Sequence, residues 1–404
     1  MRVLVLSSVY PTAAMPLRGL FVHERTRHLA TFCHVRVVAP IPWFPGNRWL
    51  RGASRSSAVR MEQPDALQVF HPRFLSVPRY AKSADGLFYF LSLLPFVARL
   101  RRTFPFDLVD AHFAYPDGFA GMLFARVFRV PVAVTLRGTE VPISRFRLRR
   151  GQIRYTLRHA DRVLAVSDSL ARLAAELGAP MDRIRVIPNG IDRGRFQPGP
   201  RPEARRRLGL PPDRPIIVSV GALAERKGHH RVLRAMQALV GDRPDLLLAI
   251  VGGGGSEGDV GPSLRRLTAD LGLERHVVLA GPQPHERIPT WLQAANLFCL
   301  ATANEGRPNV VLEALACGLP VVTTDVGGVA EIVRPGLDGL LVPLDDASAL
   351  AKALGAALDH SWNSESMSAR NSGRSWGRAA EEVYMELSTM RAEHSTQAGA
   401  TAHS

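Results

Sequence analysis

Two series of short apolar runs, rich in valine, isoleucine and leucine, alternate with helix-like segments along this chain. The first series begins with Val3–Leu6 and the second with Ile216–Val220. Parallel strands need a crossover to return, and sheets built this way are covered by helices on both faces. Their strands are therefore continuously apolar rather than alternating. The pattern predicts an α/β chain with two parallel sheets, each the centre of a Rossmann-like domain.

A charged, proline-rich stretch from Asn189 to Pro215 separates the two series and reads as a linker with at most one short helix. The chain of 404 residues is long enough for two domains. Ligands of open parallel sheets bind beyond the carboxyl ends of strands, so we expect a site in a cleft that the two sheets face. The predicted organisation is an N-terminal domain 1–190, a linker 191–213, a C-terminal domain 214–373, a helix 374–390 that crosses back to the first domain, and a disordered tail 391–404.

Glu305 and Glu313 are the most informative pair of side chains. Glu305 follows a strand-like run that ends at Leu300, and Glu313 lies in a helix-like segment that begins near Pro308. The backbone amides of the first helical turn lack intrahelical partners and attract anions. Glu313 stands among apolar residues, where a carboxylate without a partner is costly. Two carboxylates that flank an anion site suit a nucleotide that carries a diphosphate and a sugar.

Cations follow the first strand of the second series. Arg226 and Lys227 precede a predicted helix in the run Gly221–Gly228. Positive charge at this place can stabilise a diphosphate leaving group. The alternative is a solvated pair of charges before a helix, and the Glu305 segment favours the functional interpretation.

Polar residues also follow strands in the first series. His112 comes after Leu108–Ala111, and a neutral histidine there can hydrogen-bond a sugar hydroxyl or simply hold a turn. Arg137, Gly138 and Glu140 follow the next strand and are candidates for the acceptor side of a site. Gly19 precedes a helix, where a glycine can admit a phosphate, although one glycine is a weak signal.

The net charge of +15 lies in the N-terminal half. Residues 1–200 hold 30 Lys and Arg against 13 Asp and Glu, whereas residues 201–404 hold 21 against 23. This asymmetry predicts an anionic partner for the first domain. The apolar run 88–97 and the arginine-rich segment 145–158 favour an anionic membrane surface over nucleic acid. No uninterrupted apolar run reaches about 18 residues, so no membrane-spanning helix is predicted.

The three cysteines are too few and too scattered for a disulfide framework or a zinc site, which favours a reduced, cytoplasmic setting. No Asp-x-Asp pair and no Walker loop occurs in the chain. We therefore expect no metal and no cofactor, with Arg226 and Lys227 supplying the positive charge that a metal would otherwise supply.

The segments quoted above resemble family 4 of the retaining glycosyltransferases, which have the GT-B fold. The resemblance covers nearly the whole chain and rests on the Glu-x7-Glu motif at Glu305 and Glu313, on Gly221–Gly228, and on the turn 186–192 and the segment 318–328. Together these motifs are specific, and none would suffice singly.

The resemblance implies roles for named residues. Glu305 would contact the donor sugar, Glu313 would hold the ribose hydroxyls, and Lys227 would bind the diphosphate. His112 would approach the sugar from the first domain. The further residues expected near the donor are Gly19, Gly221, Gly306, Arg307, Pro308, Asn309 and Val310. The donor phosphate itself would accept the acceptor's proton, with retention and without metal.

One departure from the family concerns Ala222, since many members carry an arginine there that pairs with the lysine on the diphosphate. Arg226 is the candidate to replace it. The expected activity is transfer of a sugar from a nucleotide sugar, UDP-linked, to a lipid-linked saccharide during surface polysaccharide synthesis, by a peripheral protein on the inner face of the cell membrane. The alternatives are a nucleotide-sugar epimerase, a non-catalytic nucleotide-sugar-binding module and, least favoured, a nucleic-acid binder.

Overall fold

The computed structural model describes residues 1–45, 61–77, 81–255 and 257–402. Its contacts divide the chain into two compact units. The first comprises Met1–Gly190 together with the C-terminal segment that begins at Trp376, and the second comprises Ile191–Ser375.

The first unit alternates strands and helices, as the apolar pattern predicts. Its strands are β1 (Arg2–Leu6), β2 (His34–Val38), β3 (Ile41–Trp43), β4 (Met61–Glu62), β5 (Gln68–Phe70), β6 (Arg73–Leu75), β7 (Leu108–His112), β8 (Val132–Leu136), β9 (Arg162–Ala165) and β10 (Ile184–Val186). Its first six helices are α1 (Leu20–Leu29), α2 (Asp85–Thr103), α3 (Phe119–Phe128), α4 (Glu140–Ile143), α5 (Arg147–His159) and α6 (Asp168–Glu176).

The main sheet of the first unit has the strand order β10-β9-β8-β7-β1-β2-β5-β4. Its pairs are parallel except for the edge pair of β4 and β5, and β3 and β6 form a separate small parallel sheet. The direction of strand addition reverses between β1 and β7. The loops that leave these two strands therefore diverge at this point, which is where ligands bind in open α/β sheets.

The second unit repeats the alternation. In chain order it contains α7 (Arg201–Leu208), β11 (Ile216–Val220), α8 (His229–Leu239), β12 (Leu247–Val251), α9 (Gly261–Asp270), β13 (Val277–Gly281), α10 (Ile288–Ala294), β14 (Leu297–Leu300), α11 (Asn309–Ala316), β15 (Val321–Thr324), β16 (Gly339–Val342), α12 (Ala347–Asp359) and α13 (Ser364–Asn371). Its sheet is parallel throughout, in the order β13-β12-β11-β14-β15-β16. Here the switch point lies between β11 and β14.

Both faces of each sheet are buried. Alternate residues of β1 belong to different clusters, with Val3 and Val5 on one face and Leu4 and Leu6 on the other. The same division holds in the second unit. Ile216 and Val218 of β11 belong to one cluster, and Ile217 belongs to the other. The prediction of two parallel, Rossmann-like sheets is confirmed.

The stretch predicted as a linker with at most one short helix, 191–213, belongs to the second unit and contains α7. Phe196 is almost fully buried in its core. Arg205 in α7 donates hydrogen bonds to the carbonyl of Ala294 and to Oδ1 of Asn296. The burial of Phe196 and the hydrogen bonds of Arg205 therefore attach this segment to the second unit. Its composition alone indicated only a proline-rich connection.

The C-terminal segment forms one helix, α14 (Trp376–Ala402), in the first unit. The predicted helix 374–390 therefore continues through most of the segment that was predicted to be a disordered tail, of which residues 403–404 lie outside the described part. Arg162 pairs with Glu386 and Glu393, and Arg391 lies 3.7 Å from Asp107. These ion pairs tie the polar end of the helix to the sheet.

Within the described residues, the segment Lys82–Thr103, which contains α2, is long and apolar enough to cross a membrane. Polar residues interrupt the apolar residues of this segment, so it contains no uninterrupted apolar run of about 18 residues. Tyr89, Leu93 and Val97 of this helix are fully buried in the core of the first unit. One face of this helix therefore packs in the core, whereas Leu87 and Leu91 on its other side are exposed.

Candidate active site

The switch point of the second sheet brings Lys227 to Glu305. Nζ of Lys227 donates to Oε1 of Glu305 at 2.6 Å. The same carboxylate oxygen accepts from Arg226 at 3.2 Å and from the hydroxyl of Thr302 at 3.3 Å. Lys227 ends a 3-10 turn after β11, and Glu305 lies in the loop after β14, so the reversal of strand order between these strands creates the pair.

Backbone contacts join these two loops. The amide of Ala303 donates to the carbonyl of Arg226 at 2.7 Å. Gly228 has φ of +73°, and a Cβ there would lie 1.8 Å from the carbonyl oxygen of Ala301. Only glycine accommodates both the left-handed backbone and this approach. The loop that carries Lys227 is therefore held directly against the loop that carries Glu305.

Arg226 makes a second ion pair with the glycine-rich loop after β12. Its Nε and Nη2 atoms donate to the two carboxylate oxygens of Glu257 at 2.6 and 2.8 Å. Burial alone would lower the pKa of Arg226, but the hydrogen bonds and charges of Glu257 and Glu305 raise it. Both cations therefore lie at the switch point, with carboxylates as their partners.

The segment predicted to carry the donor, Gly306–Val310, leads into α11. Pro308 is the N-cap in an extended conformation, and the helix begins at Asn309. Arg307 is directed towards Glu331, 3.7 Å away, so its guanidinium contacts the protein itself. Gly221 follows β11 directly, and a Cβ there would meet the stem of Lys227 at 3.6 Å.

Glu313 lies in the second turn of α11 with 14% of its side chain exposed. Its Oε1 atom is 3.4 Å from Nε2 of His285. The expectation that a carboxylate in this apolar helix has a partner agrees with this contact. His285 itself follows β13, and its place after the end of a strand is the signal in the sequence that could have identified it.

His112 ends β7 in the first unit, and its ring is fully buried. Nδ1 is 3.1 Å from Nε of Arg137, and Nε2 is 2.9 Å from Nη2 of Arg25. Burial and the charge of Arg25 lower the pKa of His112 to about 3, so the imidazole is neutral. Both ring nitrogens contact arginines, and a sugar hydroxyl would have to replace one of them.

Arg25 connects His112 with the neighbouring strands. It donates to Oδ2 of Asp110 at 2.6 Å and to the hydroxyl of Thr135 at 2.9 Å, and all of these groups are buried. Arg25 and Asp110 are 85 residues apart, and neither was singled out from the sequence. The contact exists because α1 covers the face of the sheet to which alternate residues of β7 and β8 point.

Arg137 and Glu140 are more enclosed than the prediction of an acceptor site implies. Arg137 is 9% exposed, donates to Oδ1 of Asn189 at 3.0 Å and lies over the ring of Phe21. Glu140 is 1% exposed and accepts from the backbone amides of Ala114, Arg137 and Gly138. Glu140 thus supports the loops after β7 and β8.

The loops on either side of the first switch point meet at Asp117. The backbone amide and the hydroxyl of Ser8 both donate to its carboxyl group, the hydroxyl at 2.7 Å. Gly19 caps α1 with φ of +71°, and a Cβ there would lie 2.3 Å from the carbonyl of Val9. Gly19 is therefore required by the path of the loop, whether or not it also meets a phosphate.

Among the described residues, no group of three or more histidine, cysteine, aspartate or glutamate side chains is placed to hold a metal ion. The expectation of chemistry without a metal remains a prediction.

Comparison with known families gives two matches that together cover most of the chain. Residues 59–195 match the family described as "Glycosyltransferase Family 4". Residues 200–376 match the family described as "Glycosyl transferases group 1".

Relatives and solved structures agree with these matches. The chain is 32% identical over 363 residues to TuaC of Bacillus subtilis (strain 168), a glycosyltransferase named for teichuronic acid biosynthesis, and the alignment covers 88% of each chain. It resembles sucrose-phosphate synthase from Thermosynechococcus elongatus, with a TM-score of 0.76, 21% identity and full coverage of both chains. It also resembles the Anabaena protein Alr3699/HepE in complex with UDP, with a TM-score of 0.69, 20% identity and coverage of 99% and 100%. The chain therefore belongs to the group 1 and family 4 glycosyltransferases and has the GT-B fold.

Proposed function

We propose that this glycosyltransferase moves a hexose from a UDP-sugar to a lipid-linked saccharide, with retention of anomeric configuration and without a metal. The observation that carries the proposal is the pair of Lys227 and Glu305 beside the start of α11, with Glu313 further along the same helix. The second unit binds the donor in this proposal, and the first unit takes the acceptor.

In the proposed reaction, the bond between the sugar C1 and the diphosphate oxygen breaks, and a bond from C1 to the acceptor hydroxyl oxygen forms on the same face. The acceptor proton passes to a phosphate oxygen of the departing UDP. Lys227 and Arg226 stabilise the charge that develops on the diphosphate. Glu305 orients the sugar hydroxyls, and its contact with Lys227 links the sugar site to the phosphate site.

Two similarities support the choice of substrates. The HepE structure contains UDP, which favours a uridine nucleotide. TuaC is named for teichuronic acid biosynthesis, and we propose a comparable biosynthetic role for this chain.

The surface of the first unit supports a location on the inner face of the cell membrane. Leu148 of α5 is 72% exposed and Phe146 before it is 54% exposed, in a segment that also carries arginines. Gln152 of α5 donates to the carbonyl of Ser83, just before α2, so the exposed Leu87 and Leu91 of α2 are on a neighbouring element. Apolar side chains among arginines suit an anionic bilayer surface.

Donor hydrolysis tests the activity. The purified protein is incubated with UDP-linked and GDP-linked hexoses, the released nucleotide is quantified, and the configuration of the product is read by NMR. Release of UDP with a retained product supports the proposal, whereas epimerised nucleotide sugar would indicate an epimerase. Nucleotide binding without turnover on any acceptor would indicate a binding module.

Vesicle flotation tests the location. We expect binding to phosphatidylglycerol vesicles, little binding to phosphatidylcholine, and loss of binding in Leu148→Asp. The matched control is Leu337→Asp, because Leu337 is also an exposed leucine but lies in the second unit. Equal binding of both variants would contradict the assignment of this surface.

A further inference from the structure

His285 contacts the one carboxylate that is expected to meet the nucleoside, and its surroundings determine its chemistry. Its Nδ1 atom lies 2.9 Å from Nη1 of Arg195. A guanidinium only donates hydrogen bonds, so Nδ1 must be the accepting nitrogen. The ring proton therefore resides on Nε2, which is the atom that faces Oε1 of Glu313 at 3.4 Å.

The ring of His285 is also packed against an aromatic side chain. Phe196 packs against it with the ring centroids 5.4 Å apart, and Phe196 is itself 2% exposed in the core of the second unit. The Nε atom of Arg195 in turn lies 3.6 Å from the carboxylate of Asp192. A chain of polar contacts thus runs from Asp192 through Arg195 and His285 to Glu313.

We infer that His285 is a positioning residue, which orients the Glu313 carboxylate to accept hydrogen bonds from the two adjacent hydroxyls of a ribose. This inference rests on the proposed function, since it concerns the nucleotide of the donor. A carboxylate has about four lone-pair sites. One hydrogen bond from His285 leaves enough for two hydroxyl groups and restricts the rotation of the side chain.

The charge of Glu313 also acts on His285. Burial lowers the pKa of His285, but the hydrogen bond and the charge of Glu313 outweigh that effect and raise it overall. The Glu313 carboxylate therefore favours the hydrogen bond from Nε2 of His285. The consequence is selectivity, because a nucleotide without ribose hydroxyls cannot use the oriented carboxylate.

Calorimetry with two nucleotides tests the inference. The probes are UDP and 2′,3′-dideoxy-UDP, measured with the wild-type protein, His285→Ala and His285→Gln. We expect His285→Ala to weaken UDP binding about fivefold to tenfold, the usual range for one hydrogen bond. Binding of the dideoxy nucleotide should change less than about twofold. His285→Gln should recover most of the UDP affinity, because its amide nitrogen can replace Nε2 as the donor.

His276→Ala is the matched control. Nδ1 of His276 contacts the carbonyl of Leu246, and the residue directly precedes β13, whereas His285 follows it. This variant should bind both nucleotides as the wild type does. An equal loss of both nucleotides in His285→Ala, or no loss of UDP, would overturn the inference.

The same measurements separate this inference from the proposed function. A wild-type protein that prefers UDP to its dideoxy form, loses the preference in His285→Ala and yet transfers no sugar supports the inference and refutes the function. A wild type that transfers sugar without any preference for the ribose hydroxyls refutes the inference alone. If UDP, GDP and ADP all fail to bind, both are refuted.

Discussion

Lys227 donates its hydrogen bond to the same oxygen of Glu305 that Arg226 contacts, so one carboxylate atom holds both cations of the switch point. A diphosphate that binds to these cations must draw them away from Glu305. The sugar hydroxyls can then bind to the carboxylate that has been released. In the proposed function, binding of the two halves of the donor would be coupled in this way.

Lys227→Ala should reduce turnover about a hundredfold or more, as expected when one charge-stabilising donor is removed from a leaving-group site. The measurement is the rate of nucleotide release at saturating donor. Lys352→Ala is the control, because Lys352 is an exposed lysine of α12 in the same unit. Near-normal turnover in Lys227→Ala would contradict the role assigned to this ammonium group.

Glu257→Gln should strengthen the binding of UDP. The carboxylate of Glu257 accepts hydrogen bonds from Nε and Nη2 of Arg226, and a diphosphate that binds Arg226 would have to displace it. Half of the Glu257 side chain is exposed, so the gain should be at most about fivefold. Titration calorimetry measures it, with Glu225→Gln as the control, since the neighbouring Glu225 is mostly exposed and pairs with His230. Weaker binding in Glu257→Gln would show that this carboxylate supports the site.

Much of the architecture could be predicted because it depends on local pattern. Continuous apolar strands such as β11 and β14 indicate parallel sheets, and polar residues directly after them indicate the binding edge. Glu305 and Lys227 were identified by this rule, and the structure places them in contact. The contact itself needs the strand order, which reverses between β11 and β14.

The partners of the candidate residues could not be predicted in the same way. Glu257 lies 31 residues from Arg226, and His285 lies 28 residues from Glu313. Such pairs form when strands become neighbours in the sheet. The spacing of residues along the sequence does not reveal the strand order. The enclosure of His112 has the same origin, because Arg25 reaches it from a helix that precedes it by 87 residues.

Gly327→Ala should disturb the donor site, while an equally strained substitution elsewhere should not. Gly327 has φ of +57°, and a Cβ there would lie 1.9 Å from the carbonyl oxygen of Glu305. Gly336 has φ of +77° with open space around it, so Gly336→Ala should cost only about 1–2 kcal/mol of backbone strain. Thermal unfolding and UDP titration of both variants measure the difference. Equal effects on donor binding would show that the path of the Glu305 loop does not depend on Gly327.

Asp117 gives a prediction about pH. Burial raises the pKa of Asp117 from its ordinary value of 3.8 to about 7, against the opposing effect of the hydrogen bonds from Ser8. Between about pH 4 and pH 7, the folded protein therefore holds a proton at this residue that the unfolded chain has lost. The contribution of Asp117 to stability must fall as the pH rises through this window, and the full cost is present above about pH 7.

Asp117→Asn should remove this dependence and keep the local contacts, because the amide oxygen can accept from the Ser8 backbone and the amide nitrogen can donate to the Ser8 hydroxyl. We expect the variant to have a melting temperature close to that of the wild type at pH 5 and a higher one at pH 8. Asp242→Asn, at an exposed aspartate of the second unit, should show no such divergence. A wild-type protein that gains stability relative to Asp117→Asn as the pH rises would mean that Asp117 is ionised and favourably paired in the folded state.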